Sequence, residues 1–217
     1  MLIQLKPSEE SFSKLVFNKF KRLDAILLCE GKTEVEVVKA IIEKLGIDIK
    51  IVLGLTDCEG IDMVPSLTGA MALLARISRK LKNLSVLVNA ETMDFTDRVK
   101  SIIDSLRSKE LVVTGLQSLA ECNHVFKFQI KTDNRVLPSI IAVNGIKEFK
   151  FTKHCIEDHV VKLMLLEDKI GHQEISKYSE AKQVARGDEI VDIIRDASKE
   201  HVKSAFNHIV CLLNYLT

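Results

Sequence analysis

The chain has 217 residues, 47% of them hydrophobic and 28% charged, with a formal net charge of +1 and no tryptophan. That length suits one large domain with an appendage, and a chain of this size buries roughly 70% of the surface its unfolded form exposes. The apolar content argues against disorder, and the near-zero charge against a polybasic nucleic-acid coat, although not against a local basic groove.

Charge is uneven along the chain. Residues 1–60 hold 9 Lys and Arg against 10 Asp and Glu, residues 61–150 hold 13 against 9, and residues 151–217 hold 9 against 11. The tightest basic cluster is Arg76, Arg79, Lys80 and Lys82. It reads either as the cationic end of a helix or as an edge facing phosphates. Cys29, Cys58, Cys122, Cys155 and Cys211 are scattered and form no Cys-x-x-Cys pair. Reduced thiols in a cytoplasmic protein are expected, with neither a disulfide framework nor a zinc ribbon. Met1–Lys6 lacks the basic-then-apolar order of a signal peptide. Apolar runs such as Ala25–Cys29 fall far short of the roughly 20 residues that span a bilayer, so no membrane partner is expected.

In chain order, Leu23–Cys29 is a nearly continuous apolar run of strand length, the pattern of a strand covered on both faces. Glu30-Gly31-Lys32 follows as a turn. Thr33-x-x-Glu36 reads as a capping box for a helix with Val37, Val38, Ile41, Ile42 and Leu45 on one stripe, ended by Gly46. The unit then repeats. Ile49–Leu53 reads as a second strand, 57–64 as a loop, and Leu67, Met71, Leu74, Ile77 and Leu81 as a helical period up to Asn83. Leu84–Val88 is a third strand, followed by Asn89-Ala90-Glu91 and Asp94. A helix carrying Val99, Ile102, Ile103 and Leu106 comes next, and Leu111–Val113 starts another strand. Alternation of this kind predicts right-handed crossovers onto a mainly parallel sheet.

Beyond about residue 120, Val125–Ile130 and Val136–Val143 alternate and read as edge strands, the latter because of Pro138. From Thr152 the chain reads as helices. One stripe carries Ile156, Val160, Leu163, Met164 and Leu166. A second, capped by Asp188, carries Ile190, Val191, Ile194 and Ala197, and a third runs from Val202 to Leu213. The expected organisation is an α/β domain over residues 1–150 and a helical extension over 151–217 packed on it.

In open α/β sheets ligands bind beyond the carboxyl ends of the strands. Glu30 directly follows the first apolar strand and Glu91 lies just past the third, flanked by Asn89 and Asp94. Adjacent parallel strands would bring the two acids within reach of one hard cation. Mg²⁺ needs only one or two protein carboxylates, and it clamps phosphate oxygens during in-line displacement. A second acid cluster, Asp57-Cys58-Glu59-Gly60, follows the second strand; it reads as a polar loop on the same sheet edge that could supply outer ligands.

Leu27-Leu28-Cys29-Glu30-Gly31-Lys32-Thr33-Glu34 and Leu84-Ser-Val-Leu-Val-Asn89-Ala90-Glu91 together resemble the Toprim domain, a metal-binding module of topoisomerases, bacterial primases and overcoming-lysogenization-defect nucleases. The likeness covers 23–113 and is nearest to small archaeal Toprim-like proteins. It implies a Toprim or Rossmann-like fold, a mainly parallel sheet flanked by helices. It also implies Glu30 as general acid or base, with Glu91, Asn89 and Asp94 around Mg²⁺ or Mn²⁺. Lys32, Arg76, Arg79 and Lys80 become candidate nucleic-acid contacts. Asn89 stands where the family has its first Asp, and the glycine often found after the acid pair is absent.

Two further i,i+4 pairs, His154 with Asp158 and Cys155 with His159, share faces of a predicted helix without the remaining ligands of a zinc site. Glu-Gly-Lys-Thr lacks the first glycine of a phosphate loop, and Ser66 and Ser118 have no nucleophile elbow. Tyr178 and Tyr215 lie in the helical tail, and the chain is too short for a topoisomerase gate. The expectation is a small Mg²⁺-dependent nuclease acting on DNA or RNA. The alternatives are a Toprim fold that has lost catalysis and binds nucleic acid or a protein partner, and a regulatory α/β protein whose acids cap turns.

Overall fold

The computed structural model describes residues 1–5, 19–76, 78–122, 124–132 and 135–216. Its strands are β1 (Leu2–Gln4), β2 (Ala25–Cys29), β3 (Leu53–Asp57), β4 (Asn83–Asn89), β5 (Val112–Ser118), β6 (Val125–Thr132) and β7 (Arg135–Asn144). Between them run α1 (Lys32–Leu45), α2 (Val64–Leu74) and α3 (Phe95–Arg107). After β7 come α4 (Ile156–Leu166), the short α5 (His172–Ile175), α6 (Gly187–Asp196), α7 (Lys199–Ala205) and α8 (Asn207–Leu216).

The strands form one sheet in the order β1-β3-β2-β4-β7-β6-β5. Pairing is parallel from β1 through β7, and antiparallel between β7 and β6 and between β6 and β5. This is the α/β, Rossmann-like architecture expected from the alternation. The apolar run of β2 is buried on both sides because alternate residues enter different cores. Ile26 and Leu28 meet α2 and α3, whereas Ala25, Leu27 and Cys29 meet α1 and the tail helices. Each such buried Leu or Ile contributes roughly 1.5–3 kcal/mol from leaving water. Helices α4, α6, α7 and α8 thus share one core with α1, so residues after 150 complete a layer of the sandwich.

Several elements differ from the sequence expectation. The second strand runs over Leu53–Asp57 rather than Ile49–Leu53. Gly54 makes this possible, since a Cβ there would lie 2.8 Å from Leu23 and 3.1 Å from Leu5. Helix α1 begins at Lys32, and its capping carboxylate is Glu34, which accepts from Gly31 N at 3.0 Å, not Glu36. Gly46 does end it, in the left-handed conformation with φ 67°. Helix α2 stops at Leu74 instead of reaching Asn83, so Leu81 belongs to the approach to β4, and Ile77 lies outside the described residues. Helix α6 starts at Gly187, and the Asp188 side chain lies outside the described residues.

Neither β6 nor β7 is an edge strand. Pro138 is tolerated inside the sheet because the β4 ladder reaches β7 only from Ser139 onward. The third tail stripe is two helices broken at Phe206, where the Ala205 carbonyl accepts from His159 Nδ1 at 2.8 Å instead of continuing the helix. The expectation that all thiols are reduced is also overturned: Cys122 and Cys211, 89 residues apart, form a disulfide that ties α8 to the β5–β6 loop. No described helix is long and apolar enough to cross a membrane.

Candidate functional site: the acidic pocket at the strand ends

β2 and β4 are parallel neighbours with Cys29 opposite Leu87, so Glu30 and Asn89 leave the sheet side by side. Glu30 N donates to the Leu87 carbonyl at 2.9 Å, and Glu30 Oε2 accepts from Asn89 N at 2.8 Å. Burial pushes the Glu30 carboxyl above its ordinary pKa; the Asn89 N–H works against that, and the charges of Glu34 and Glu91 add to it. Glu34, one turn into α1, is 4% exposed and accepts from Asn89 Nδ2 at 2.8 Å. Its carboxyl is also pushed up, first by burial, and further by Glu157.

Asn89 is the hub. Its Oδ1 accepts from Asn144 Nδ2 at 3.0 Å and from Ile156 N, at the start of α4, at 3.1 Å. With Nδ2 on Glu34, its amide ties together β4, β7, α1 and α4. An Asp at this position could make neither the donation to Glu34 nor a comfortable neighbour for it.

Glu91 lies beyond β4 in a left-handed conformation (φ 55°), held by backbone hydrogen bonds to His154 of 2.8 and 2.9 Å. Lys153 Nζ approaches its Oε2 to 3.7 Å. Asp94 stands apart: it precedes α3, is exposed, and pairs with Lys147, whose hydrogen bond and charge hold its carboxyl below the usual range. Asp57 ends β3 opposite Cys29, and the following turn carries Glu59 (φ 60°) and returns Gly60 N to the Glu30 carbonyl at 2.9 Å. Asp57 and Glu30 push the buried Cys58 thiol, already raised by burial, to about 12, which keeps it protonated and unreactive.

Lys32 is exposed at the start of α1, on the acidic edge. Arg76, Arg79 and Lys80 lie on the connection entering β4, at the amino end of the same strands; Lys80 pairs there with Asp24 at 3.4 Å. A strand of five to seven residues separates the edges by roughly 17–23 Å. The structure therefore does not bring these three cations together with Glu30 and Glu91.

Two pocket residues have no local sequence signal. Glu157, in the first turn of α4, is 6% exposed, and its Oε2 is buried without a hydrogen-bond partner among the described residues. Lys182, in the 3-10 turn Ala181–Gln183, lies 4.0 Å from Glu157 Oε1. Burial alone would lower the Lys182 pKa, but Glu157, Cys155, Glu91 and Glu34 outweigh it and hold the ammonium charged. Only the folding of the tail onto the sheet brings this lysine to the acids.

The predicted i,i+4 pairs are structural. Asp158, fully buried, accepts from Ile146 N at 2.9 Å and Cys155 N at 3.3 Å, and pairs with His154 Nδ1 at 2.7 Å. His159 accepts from Gly145 N at 3.0 Å. Gly145 is required there, because at φ 136° a Cβ would lie 2.7 Å from that of His154.

A hard cation would not find the ligand set implied by the sequence resemblance. The Asn89 carbonyl oxygen already accepts two N–H groups, and Asp94 is turned to Lys147. Among the described residues, no three His, Cys, Asp or Glu side chains converge as a preformed metal site. Carboxylates at Glu30, Glu34, Glu91 and Glu157 do fit such a cation chemically, and Glu157 Oε2 is a buried acceptor with no hydrogen-bond partner among the described residues, although Lys182 approaches Oε1.

Comparison with known proteins gives one sequence family. The model described as "Protein of unknown function (DUF3226)" matches residues 24–136. No curated protein matches the chain. Among solved structures, the C-terminal region of the Burkholderia pseudomallei OLD protein is 12% identical, over 89% of this chain and 96% of that one, with a TM-score of 0.40. The C-terminal region of the Xanthomonas campestris pv. campestris OLD protein is 13% identical, over 89% and 97%, with a TM-score of 0.36.

Proposed function

The chain belongs to the family described as "Protein of unknown function (DUF3226)", and for this member we propose divalent-cation-dependent phosphodiester chemistry on nucleic acid, of the small-nuclease type, at the strand-end acidic pocket. The observation that supports it is a partly compensated cluster: Glu30, Glu34, Glu91 and Glu157 are answered by Lys182 and Lys153 alone, and one buried carboxylate oxygen has no hydrogen-bond partner among the described residues. Mg²⁺ or Mn²⁺, held by one or two of these carboxylates and otherwise by water, would supply charge stabilisation at the phosphate. Glu30, with its raised pKa, is suited to move a proton to or from the attacking or leaving oxygen. Lys182 and Lys153 would meet phosphate oxygens, and the polymer would approach over Lys32 on the same edge.

The test is incubation with labelled single- and double-stranded DNA and RNA in millimolar Mg²⁺ or Mn²⁺, with chelator controls. Cleavage is expected to fall at least 100-fold in Glu30→Gln and Glu91→Gln. Four intact polymers under both metals would sink the catalytic reading. A second reading, a fold without catalysis that binds nucleic acid or a protein, is favoured by Asn89, whose amide is tied into the core and supplies no charge. Salt-dependent binding with no cleavage would select that reading.

A further inference from the structure

A second concave site lies on the other side of Asn144 from the acids. It is a cleft of about 840 Å³ between the β7–α4 connection, α4 and the α7–α8 break. That is within the roughly 300–1,000 Å³ range of small-molecule pockets. His124, His159 and His208 line it, with the His159 and His208 ring centres 4.1 Å apart.

The imidazoles are set up as neutral hydrogen-bonding groups. His208 Nε2 donates to Asn144 Oδ1 at 2.8 Å, which leaves Nδ1 as an acceptor without a protein partner among the described residues. His159 is buried, has both nitrogens occupied, by Ala205 O and Gly145 N, and stacks on His208, so it braces that ring and offers no free ligand atom. His124 is held by stacking on Phe95 at 3.8 Å between ring centres. Phe149 and Leu165 add apolar wall, and the rim carries Lys162 and Lys203 against one acid, Glu148. Lys162 Nζ is oriented by the Ser204 carbonyl at 3.2 Å, and Lys203 is exposed. Planar rings, an unspent acceptor and a two-to-one excess of cations together describe a ligand with a flat, hydrogen-bonding body and an anionic end.

We propose that this cleft binds a nucleoside monophosphate, with the base against Phe149 and His124 and within reach of His208 Nδ1, and the phosphate at Lys162 and Lys203. The site is separate from the acidic pocket and does not depend on the cleavage proposed there. Neither Lys162 nor Lys203 takes part in the acidic cluster.

Calorimetric titration with adenosine and uridine 5′-monophosphates, adenosine and inorganic phosphate tests the proposal on the full chain. A monophosphate is expected to bind at least tenfold more tightly than adenosine or phosphate alone. The Lys162→Ala/Lys203→Ala variant, with circular dichroism to check folding, should weaken the nucleotide at least tenfold and leave adenosine unchanged. Glu148→Gln should tighten the nucleotide, because it removes the one rim charge that opposes the phosphate. No nucleotide binding at millimolar concentration would overturn the proposal. So would binding indifferent to the two lysines, or phosphate binding as well as the nucleotide.

Discussion

Asn144 separates two buried polar regions that solve the same problem in opposite ways. On one side, Glu30, Glu34 and Glu157 are acids in low dielectric, and burial raises Glu30 and Glu34 above their ordinary pKa. On the other, His159 and His208 are bases that burial holds neutral, His159 down to about 3. The imidazoles lose their charge and keep their hydrogen bonds, so they rigidify the fold at little electrostatic cost. The carboxylates keep a charge that Asn89, Lys182 and Lys153 only partly answer. A region left with unbalanced charge is where a cationic ligand gains most, which is why the acids carry the functional proposal.

Breaking the boundary itself has the largest expected effect. Asn144→Leu removes the acceptor for His208 and one of the two donors to Asn89, both buried. A loss of about 2–4 kcal/mol is expected by urea denaturation, and a loss under 0.5 kcal/mol would mean that the two regions are not joined through this residue.

The pH profile separates the regions next. Glu34 has a folded pKa above its unfolded value, so its contribution is fully present below about 4.5 and is lost as pH rises through the folded pKa. His159 has a folded pKa below its unfolded value, so its contribution is present above about 6.5 and is lost as pH falls toward about 3. Over the range in which folded Glu34 titrates, above about 4.5, its slope opposes that of His159, which amounts to roughly 1.4 kcal/mol per pH unit between about 6.5 and about 3. Glu34→Gln removes one of the raised carboxyls and leaves Glu30 and Asp158, so stability should fall somewhat more steeply on acidification than in the wild type. An unchanged profile in denaturation series at pH 7, 6 and 5 would show Glu34 to be compensated.

The smallest effect is a gain. Glu157→Gln removes a buried charge whose Oε2 is unpartnered, while Lys182 keeps Glu34 and Glu91 nearby. Stability should rise by up to about 1 kcal/mol in the same assay, and added Mg²⁺ should stabilise the variant less than the wild type. Equal stabilisation of both proteins would remove Glu157 from the cation-binding set.

Local chemistry in the sequence determined a good deal. The apolar runs Ala25–Cys29 and Leu84–Val88 specify doubly covered strands, and the helical stripes of α1, α3 and α4 specify which faces are buried, because periodicity is a property of nearby residues. Glu30 and Glu91 were legible as strand-end acids for the same reason. Pro138 inside β7 was misleading, and Gly54 of β3 falls outside the strand expected at Ile49–Leu53; each is accommodated only through neighbours distant in sequence.

The tertiary structure alone decided the rest. It brought Lys182 and Glu157 to the acids, committed Asn89 to Glu34, Asn144 and Ile156, joined Cys122 to Cys211, and sent Arg76, Arg79 and Lys80 to the far edge of the sheet. These outcomes depend on how β7 and the tail helices pack beside β4, a long-range arrangement that no local spacing encodes. The sequence thus identified which residues could carry charge chemistry, and packing determined which charges meet.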